Sequence, residues 1–128
     1  MSYISSSPRN YLGKSVDSGQ CVAYVRAASH APHTSLWLRG ATVQGNFALE
    51  PGTAIATFDP NGRYGSHTDG RSHAAIYLGQ DKNGIRVLDQ WVSKRNGQVV
   101  RVAVHERIIQ FQPKPRPEND GRNYHVIE

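Results

Sequence analysis

The chain has 128 residues, 38% of them apolar and 20% charged, which is typical of one soluble globular domain and excludes a disordered or fibrous chain. Its single cysteine excludes an internal disulfide, so nothing marks the protein as matured in an oxidising compartment. The net charge of +5 comes from dispersed basic residues, and this dispersal argues against a nucleic-acid-binding module.

The N-terminal region predicts an irregular lead-in over residues 1–16. It lacks the basic start and apolar run of a secretory signal peptide, and no stretch of the sequence approaches the length of a membrane span. We therefore expect one domain over residues 1–128, made in the cytoplasm. If it acts outside its cell, its export route does not read an N-terminal signal.

A helix is predicted over residues 21–29, because apolar side chains recur there at three-residue steps: Val22, Val25 and Ala28. Either Asp17 or Ser18 is the expected N-cap. Pro32 cannot continue the helix and disfavours helical backbone just before it. Residues 36–38 then predict a short helical turn that ends at Gly40.

The remainder of the chain is predicted to form extended segments separated by turns. The predicted strands cover residues 53–58, 73–78, 85–91, 99–104, 107–111 and 124–127. Residues 59–72 form a long turn-rich loop, and a loop of that length in a small domain is usually functional or mobile. Strands joined by short turns pair antiparallel, so the predicted fold is α+β: one helix packed on a small, curled antiparallel sheet.

Cys21 is the candidate nucleophile, because it lies in the first turn of the predicted helix. Free backbone N–H groups and the positive end of the helix dipole favour the thiolate there. Such a nucleophile needs a base within hydrogen-bond reach, and the base needs an orienting acceptor. His73 is the best-placed base, since it opens a buried-looking strand directly after the long loop.

Asp89 and Gln90 both lie on the next strand and point to opposite faces, so either can orient His73. The choice depends on the hairpin turn: an odd-length loop places Asp89 on the face of His73, and an even-length loop places Gln90 there. We favour Asp89, because a carboxylate also stabilises the imidazolium. The backbone N–H of Cys21 and the side chain of Gln20 are the expected oxyanion donors.

Three segments resemble the motifs of CHAP and NlpC-like domains, papain-fold cysteine, histidine-dependent amidases and peptidases that cut peptidoglycan. Residues 19–25 read Gly-Gln-Cys-Val-Ala-Tyr-Val and resemble the Gly-Gln-Cys-x-x-Tyr-Val opening of the CHAP family. Residues 72–77 resemble its Gly-His-Val-Ala-Ile strand, and residues 87–91 its Val-x-Glu-Gln-Asn strand. The likeness covers residues 17–92 and departs from the family pattern at Ser72 and Trp91.

The resemblance implies a papain-like amidase or endopeptidase with catalytic Cys21, His73 and Asp89, the last standing where the family has glutamate. Gln20, Gln90 and Trp91 are then expected beside the substrate or the oxyanion, with no metal and no other cofactor. The small size is similar to that of the amidase effectors of type VI secretion systems. That likeness implies a peptidoglycan peptide as substrate, action in the periplasm or wall of a target cell, and a cognate immunity protein.

Two other interpretations stay open on the sequence alone. His67, Asp69 and His73 are close in sequence, and zinc accepts such ligands, which would make the protein a metal-dependent hydrolase. Alternatively, the same fold binds cell-wall peptide without cutting it, with Trp37, Trp91 and Tyr64 as the binding surface.

Overall fold

The computed structural model describes residues 1–128 as one antiparallel sheet with a single α-helix packed on it. The helix α1 covers Cys21–Ser29. The strands are β1 (Arg39–Thr42), β2 (Ala54–Thr57), β3 (Ala74–Gln80), β4 (Gly84–Arg95), β5 (Gln98–Gln110) and β6 (Tyr124–Ile127). Their spatial order is β1-β6-β2-β3-β4-β5. The predicted α+β fold is therefore confirmed, and no helix in it is long and apolar enough to cross a membrane.

Side chains on both faces of the sheet are buried. On one face, Tyr24, Val25 and Ala28 of α1 pack against small and branched side chains of β2 and β3 such as Ala56 and Ile76. On the other face, a second cluster forms from alternate residues of the same strands, together with Val43 and Phe111 from the connecting segments. The small side chains of β2 and β3 let the helix lie close to the sheet, which brings its first turn to the start of β3.

The helix has its predicted bounds but a different start from the one expected. Gln20 is the N-cap residue, and no side chain caps the first turn. The Ser18 hydroxyl instead accepts a hydrogen bond from the Gln20 N–H, and Asp17, whose φ is 53°, lies in the turn before it. The first-turn N–H groups beside Cys21 are thus free of a side-chain cap.

The segment around Trp37 also differs from the prediction. The helical turn comes earlier, at Thr34–Leu36, and Arg39 begins a strand instead of ending a helix. Leu38 exchanges two backbone hydrogen bonds of 2.9 Å with Glu128, so pairing with the far end of the chain overrides the local helical pattern. Trp37 is fully buried and its indole donates to the carbonyl of Pro32, which removes it from any binding surface.

Candidate active site

Cys21 is the first residue of α1 and lies, partly exposed, in a cleft of about 940 Å³ between the helix start and the sheet. Burial by itself would raise the pKa of the thiol. The charge of His73 and its hydrogen bond to the sulfur, together with the Ala74 backbone amide and the Tyr64 hydroxyl, outweigh burial and lower the pKa of Cys21. The thiolate is therefore easier to form here than at an ordinary cysteine.

His73 lies directly before β3, buried at the mouth of the sheet. Its Nε2 atom is 2.7 Å from Oδ2 of Asp89, a fully buried carboxylate on β4. Because Nε2 is held by Asp89, Nδ1 is the ring nitrogen left to face the thiol. Burial opposes the charged imidazole, but the Cys21 thiolate and Asp89 prevail and raise the pKa of His73 to about 10.

A β-bulge decides which residue of β4 meets His73. The last pair of the β3–β4 hairpin is Gln80 opposite Ile85, so four residues form the turn. Such an even loop by itself would select Gln90. Leu78, however, is an extra residue in β3, because Tyr77 pairs with Val87 while Gly79 pairs with Arg86. The bulge shifts the register by one residue, so Asp89, and not Gln90, lies on the same face as His73.

Gln90 points to the opposite face, where it is fully buried. Its amide oxygen accepts from the N–H of Val16 at 2.7 Å, and its nitrogen donates to the carbonyls of Val16 and Gln20 at 3.0 and 2.7 Å. With both of its amide hydrogens and its oxygen engaged, Gln90 departs from the prediction that it touches substrate. It fixes the backbone of the residue that precedes Cys21, while the Gln20 side chain stays exposed at the cleft.

Arg107 is a member of the cluster that sequence analysis missed. Its Nε lies 2.9 Å and its Nη2 2.8 Å from Oδ2 of Asp89. Arg107 stands opposite Val87 on β5, diagonal to Asp89 on the same face. In one continuous strand, the alternation of side chains between the two faces would have placed Arg107 beside Asp89. The sequence pattern instead predicts two shorter strands over this segment.

The walls of the cleft come from the hairpin and from the long loop. Trp91 is half-buried and packs edge-on against the rings of His73 and His105, while Arg107 lies 4.9 Å above its indole. Tyr64 is buried, with its hydroxyl 3.8 Å from the Cys21 sulfur. Burial and the neighbouring thiolate raise the pKa of Tyr64, so its hydroxyl stays protonated and is the donor of this pair.

The residues expected of a metal site do not converge. His67 borders the cleft, but its Nε2 pairs with Asp59 at 2.9 Å and its Nδ1 accepts from Arg71 at 3.1 Å. Since arginine can only donate, His67 is the neutral tautomer with both ring nitrogens engaged. Asp69 pairs with the same Arg71 on the surface, and no group of three or more His, Cys, Asp or Glu side chains is placed to hold a metal ion.

Comparison with known proteins gives consistent results over nearly the whole chain. Residues 1–127 match the family model of domesticated amidase effector 2. A type VI secretion amidase effector 2 protein of Salmonella typhi is 50% identical over 102 residues, covering 80% of this chain and 72% of that protein. Domesticated amidase effector 2 of Ixodes scapularis is 33% identical over 131 aligned positions, covering 96% and 82%. A solved structure of type 6 secretion amidase effector 2 superposes with a TM-score of 0.80 at 34% identity, covering 98% of this chain and 94% of that one.

Proposed function

The chain belongs to the domesticated amidase effector 2 family, and we propose that it hydrolyses peptide amide bonds of bacterial peptidoglycan with Cys21 as the nucleophile. The family and the matching papain-like structure make it an amidase effector. The observation that supports the residue assignment is the line of contacts from the Cys21 thiol through His73 to Asp89, which joins a helix start to a buried carboxylate.

The proposed reaction begins with a thiolate–imidazolium pair. The Cys21 sulfur attacks the carbonyl carbon of the substrate amide, and the carbonyl π electrons move to the oxygen to give a tetrahedral oxyanion. The backbone N–H of Cys21 and the side chain of Gln20 stabilise this oxyanion by donating hydrogen bonds. His73 then gives its Nδ1 proton to the departing amine, the C–N bond breaks, and a thioester to Cys21 remains.

Hydrolysis of the thioester restores the enzyme. Neutral His73 takes a proton from a water molecule whose oxygen attacks the thioester carbonyl, and collapse of the second tetrahedral species expels the Cys21 thiolate. The product carboxylic acid releases its remaining proton to solvent and leaves as a carboxylate, and His73 is again the imidazolium. Asp89 holds the ring so that Nδ1 faces the sulfur at both steps, and the Tyr64 hydroxyl solvates the thiolate between turnovers.

The substrate sets the place of action. Peptidoglycan lies outside the cytoplasmic membrane, so a secreted effector of this kind meets it in the periplasm or wall of a target cell. A producing cell that is exposed to its neighbours' effector then needs a protein partner that occupies the cleft. We propose such an immunity partner, with the walls around Trp91 and the 59–72 loop as the surface it covers.

Mass spectrometry of purified peptidoglycan after digestion tests the proposed function. The wild-type protein should release fragments with one new amine and one new carboxylate per bond cut, and Cys21→Ala should release none while keeping the same unfolding temperature. Gln112→Ala, a change at an exposed residue outside the cleft, is the matched control and should digest normally. If Cys21→Ala digests like the wild type, or if both proteins bind without cutting, the amidase assignment to Cys21 is wrong.

A further inference from the structure

Behind His73 lies a carboxylate that is itself paired with an arginine. Nε of Arg107 is 2.9 and 3.1 Å from the two oxygens of Asp89, and Nη2 is 2.8 Å from Oδ2. The Asp89 side chain is fully buried and that of Arg107 is 24% exposed. This is a partly desolvated, multidentate ion pair, whose geometry is far better defined than that of an ordinary surface pair.

Both His73 and Arg107 act as donors toward the same carboxylate. Nη2 of Arg107 comes within 3.5 Å of Nε2 of His73, but a guanidinium cannot accept a proton, and Nε2 already gives its own to Asp89. The close approach is therefore that of two donors held together by the acceptor between them. Trp91, whose ring lies 4.9 Å from the guanidinium carbon, supports Arg107 from the side of the cleft.

We propose that Arg107 is a positioning residue that cancels the charge of Asp89, so that His73 is oriented by an acceptor with no net charge. Papain-like proteases with a Cys-His-Asn arrangement obtain such an acceptor from a neutral amide. Here the Asp89–Arg107 pair supplies it from two charged groups. The inference rests on the proposed function of Cys21 and His73 and concerns how their proton transfer is adjusted.

The charge balance matters because His73 has two tasks with opposite demands. It must stay protonated beside the thiolate, and it must release that proton to the departing amine. A bare buried carboxylate would favour the first task at the expense of the second. Three charged groups surround His73: Cys21 from α1, Asp89 from β4 and Arg107 from β5. The Tyr64 hydroxyl lies beside the Cys21 sulfur, and His105 lies on the far side of Trp91. Tyr124 and Glu118 in turn raise the pKa of Arg107.

The test is a double-mutant cycle of Arg107→Gln and Asp89→Asn, with kcat/KM on peptidoglycan fragments, an NMR titration of the His73 ring and the unfolding temperature measured for each protein. Arg107→Gln leaves an uncompensated carboxylate, so the pKa of His73 should rise. Asp89→Asn leaves an uncompensated guanidinium, so the pKa should fall. Each single change should lower kcat/KM about ten- to a hundredfold, the range seen for groups that orient a reacting ligand from behind.

The double variant should return the His73 titration toward the wild-type value and recover at least about tenfold in kcat/KM over the weaker single variant, because charge balance is restored. Arg107→Lys keeps the charge and should retain more activity than Arg107→Gln. Arg122→Gln is the matched control. It removes an arginine from another buried aspartate, Asp120, in a pair of which neither member lines the cleft, and it should leave activity and the His73 titration unchanged.

Additive losses in the double variant would overturn the inference, as would single changes that shift the His73 titration in the same direction. Full activity of Arg107→Gln would also overturn it. Each of these results can occur while the proposed function still holds. The proposed function itself fails only if Cys21→Ala or His73→Ala still digests peptidoglycan. If a single variant unfolds, the activity of the charge-preserving Arg107→Lys and the titration of the double variant still support or overturn the inference.

Discussion

Replacing Gln90 by alanine should damage both the stability and the reactivity of the protein, although Gln90 never reaches the cleft. The side chain is fully buried and makes three hydrogen bonds to backbone groups of Val16 and Gln20. At about 1 kcal/mol for each net hydrogen bond, the loss is about 3 kcal/mol. For a domain of this size that corresponds to a fall of about 10 °C in Tm.

The same change should slow the thiol, because the carbonyl of Gln20 that Gln90 fixes belongs to the residue just before Cys21. Thermal unfolding followed by circular dichroism and the alkylation rate of Cys21 at about pH 7 measure the two effects. The exposed Gln112→Ala is the control for loss of a glutamine as such. A change in Tm below about 3 °C, together with an unchanged alkylation rate, would refute the reasoning.

Gln90→Glu makes a sharper version of the same point, because it preserves the shape of the side chain. A carboxylate oxygen would replace the nitrogen that donates to two carbonyls, so the folded state should hold this group protonated, with its pKa raised. Stability should then be greatest below the ordinary glutamate pKa of about 4.3, where the single O–H still donates to one of the two carbonyls, and decline as the pH rises above it. A stability that is independent of pH would show that these hydrogen bonds are not what holds the segment.

Three further outcomes are expected. The alkylation rate of Cys21 should rise with pH with a midpoint well below the free-thiol pKa of about 8.5, and a midpoint at or above about 8.5 would contradict the thiolate assignment. Cys21→Ser should fold normally but be nearly inactive. Because the active form needs the imidazolium, kcat/KM should persist through neutral pH and fall only as the pH approaches the His73 pKa of about 10, whereas a fall centred near about pH 6.5 would mean that no ion pair forms. Shortening the loop over residues 62–70 should impair turnover more than thermal stability, since Ser66 and His67 border the cleft, and equal damage to both would make the loop a structural element.

Much of this architecture could be predicted because local and tertiary preferences agree. The apolar spacing that predicts a helix over residues 21–29 describes the face that packs on the sheet, and Pro32 and the left-handed His30 end it where expected. Most of the strands also lie within a few residues of their predicted bounds. Where the two preferences disagree, as at Leu38, pairing with a distant strand prevails over the local pattern.

The composition of the candidate site was less accessible from sequence. Cys21 and His73 can be identified by residue type and by position at the start of an element. The choice between Asp89 and Gln90 depends on a bulge at Leu78, and nothing in that apolar strand marks where an extra residue is inserted. Arg107 was hidden because the sequence pattern predicts a break between residues 104 and 107, where the structure continues β5 without interruption.

The bulge at Leu78 also affects which length changes the hairpin can tolerate. His73 and Asp89 share a face because each lies an even number of strand positions from the pair Gln80–Ile85, once the extra residue of β3 is discounted. A change in turn length that keeps this pair therefore leaves both side chains where they are. Deleting one residue of β3 between His73 and Gln80, by contrast, turns His73 to the other face unless the bulge is lost with it. Homologous chains should accordingly vary freely in turn length, whereas a β3 that is one residue shorter should occur only in its straight form.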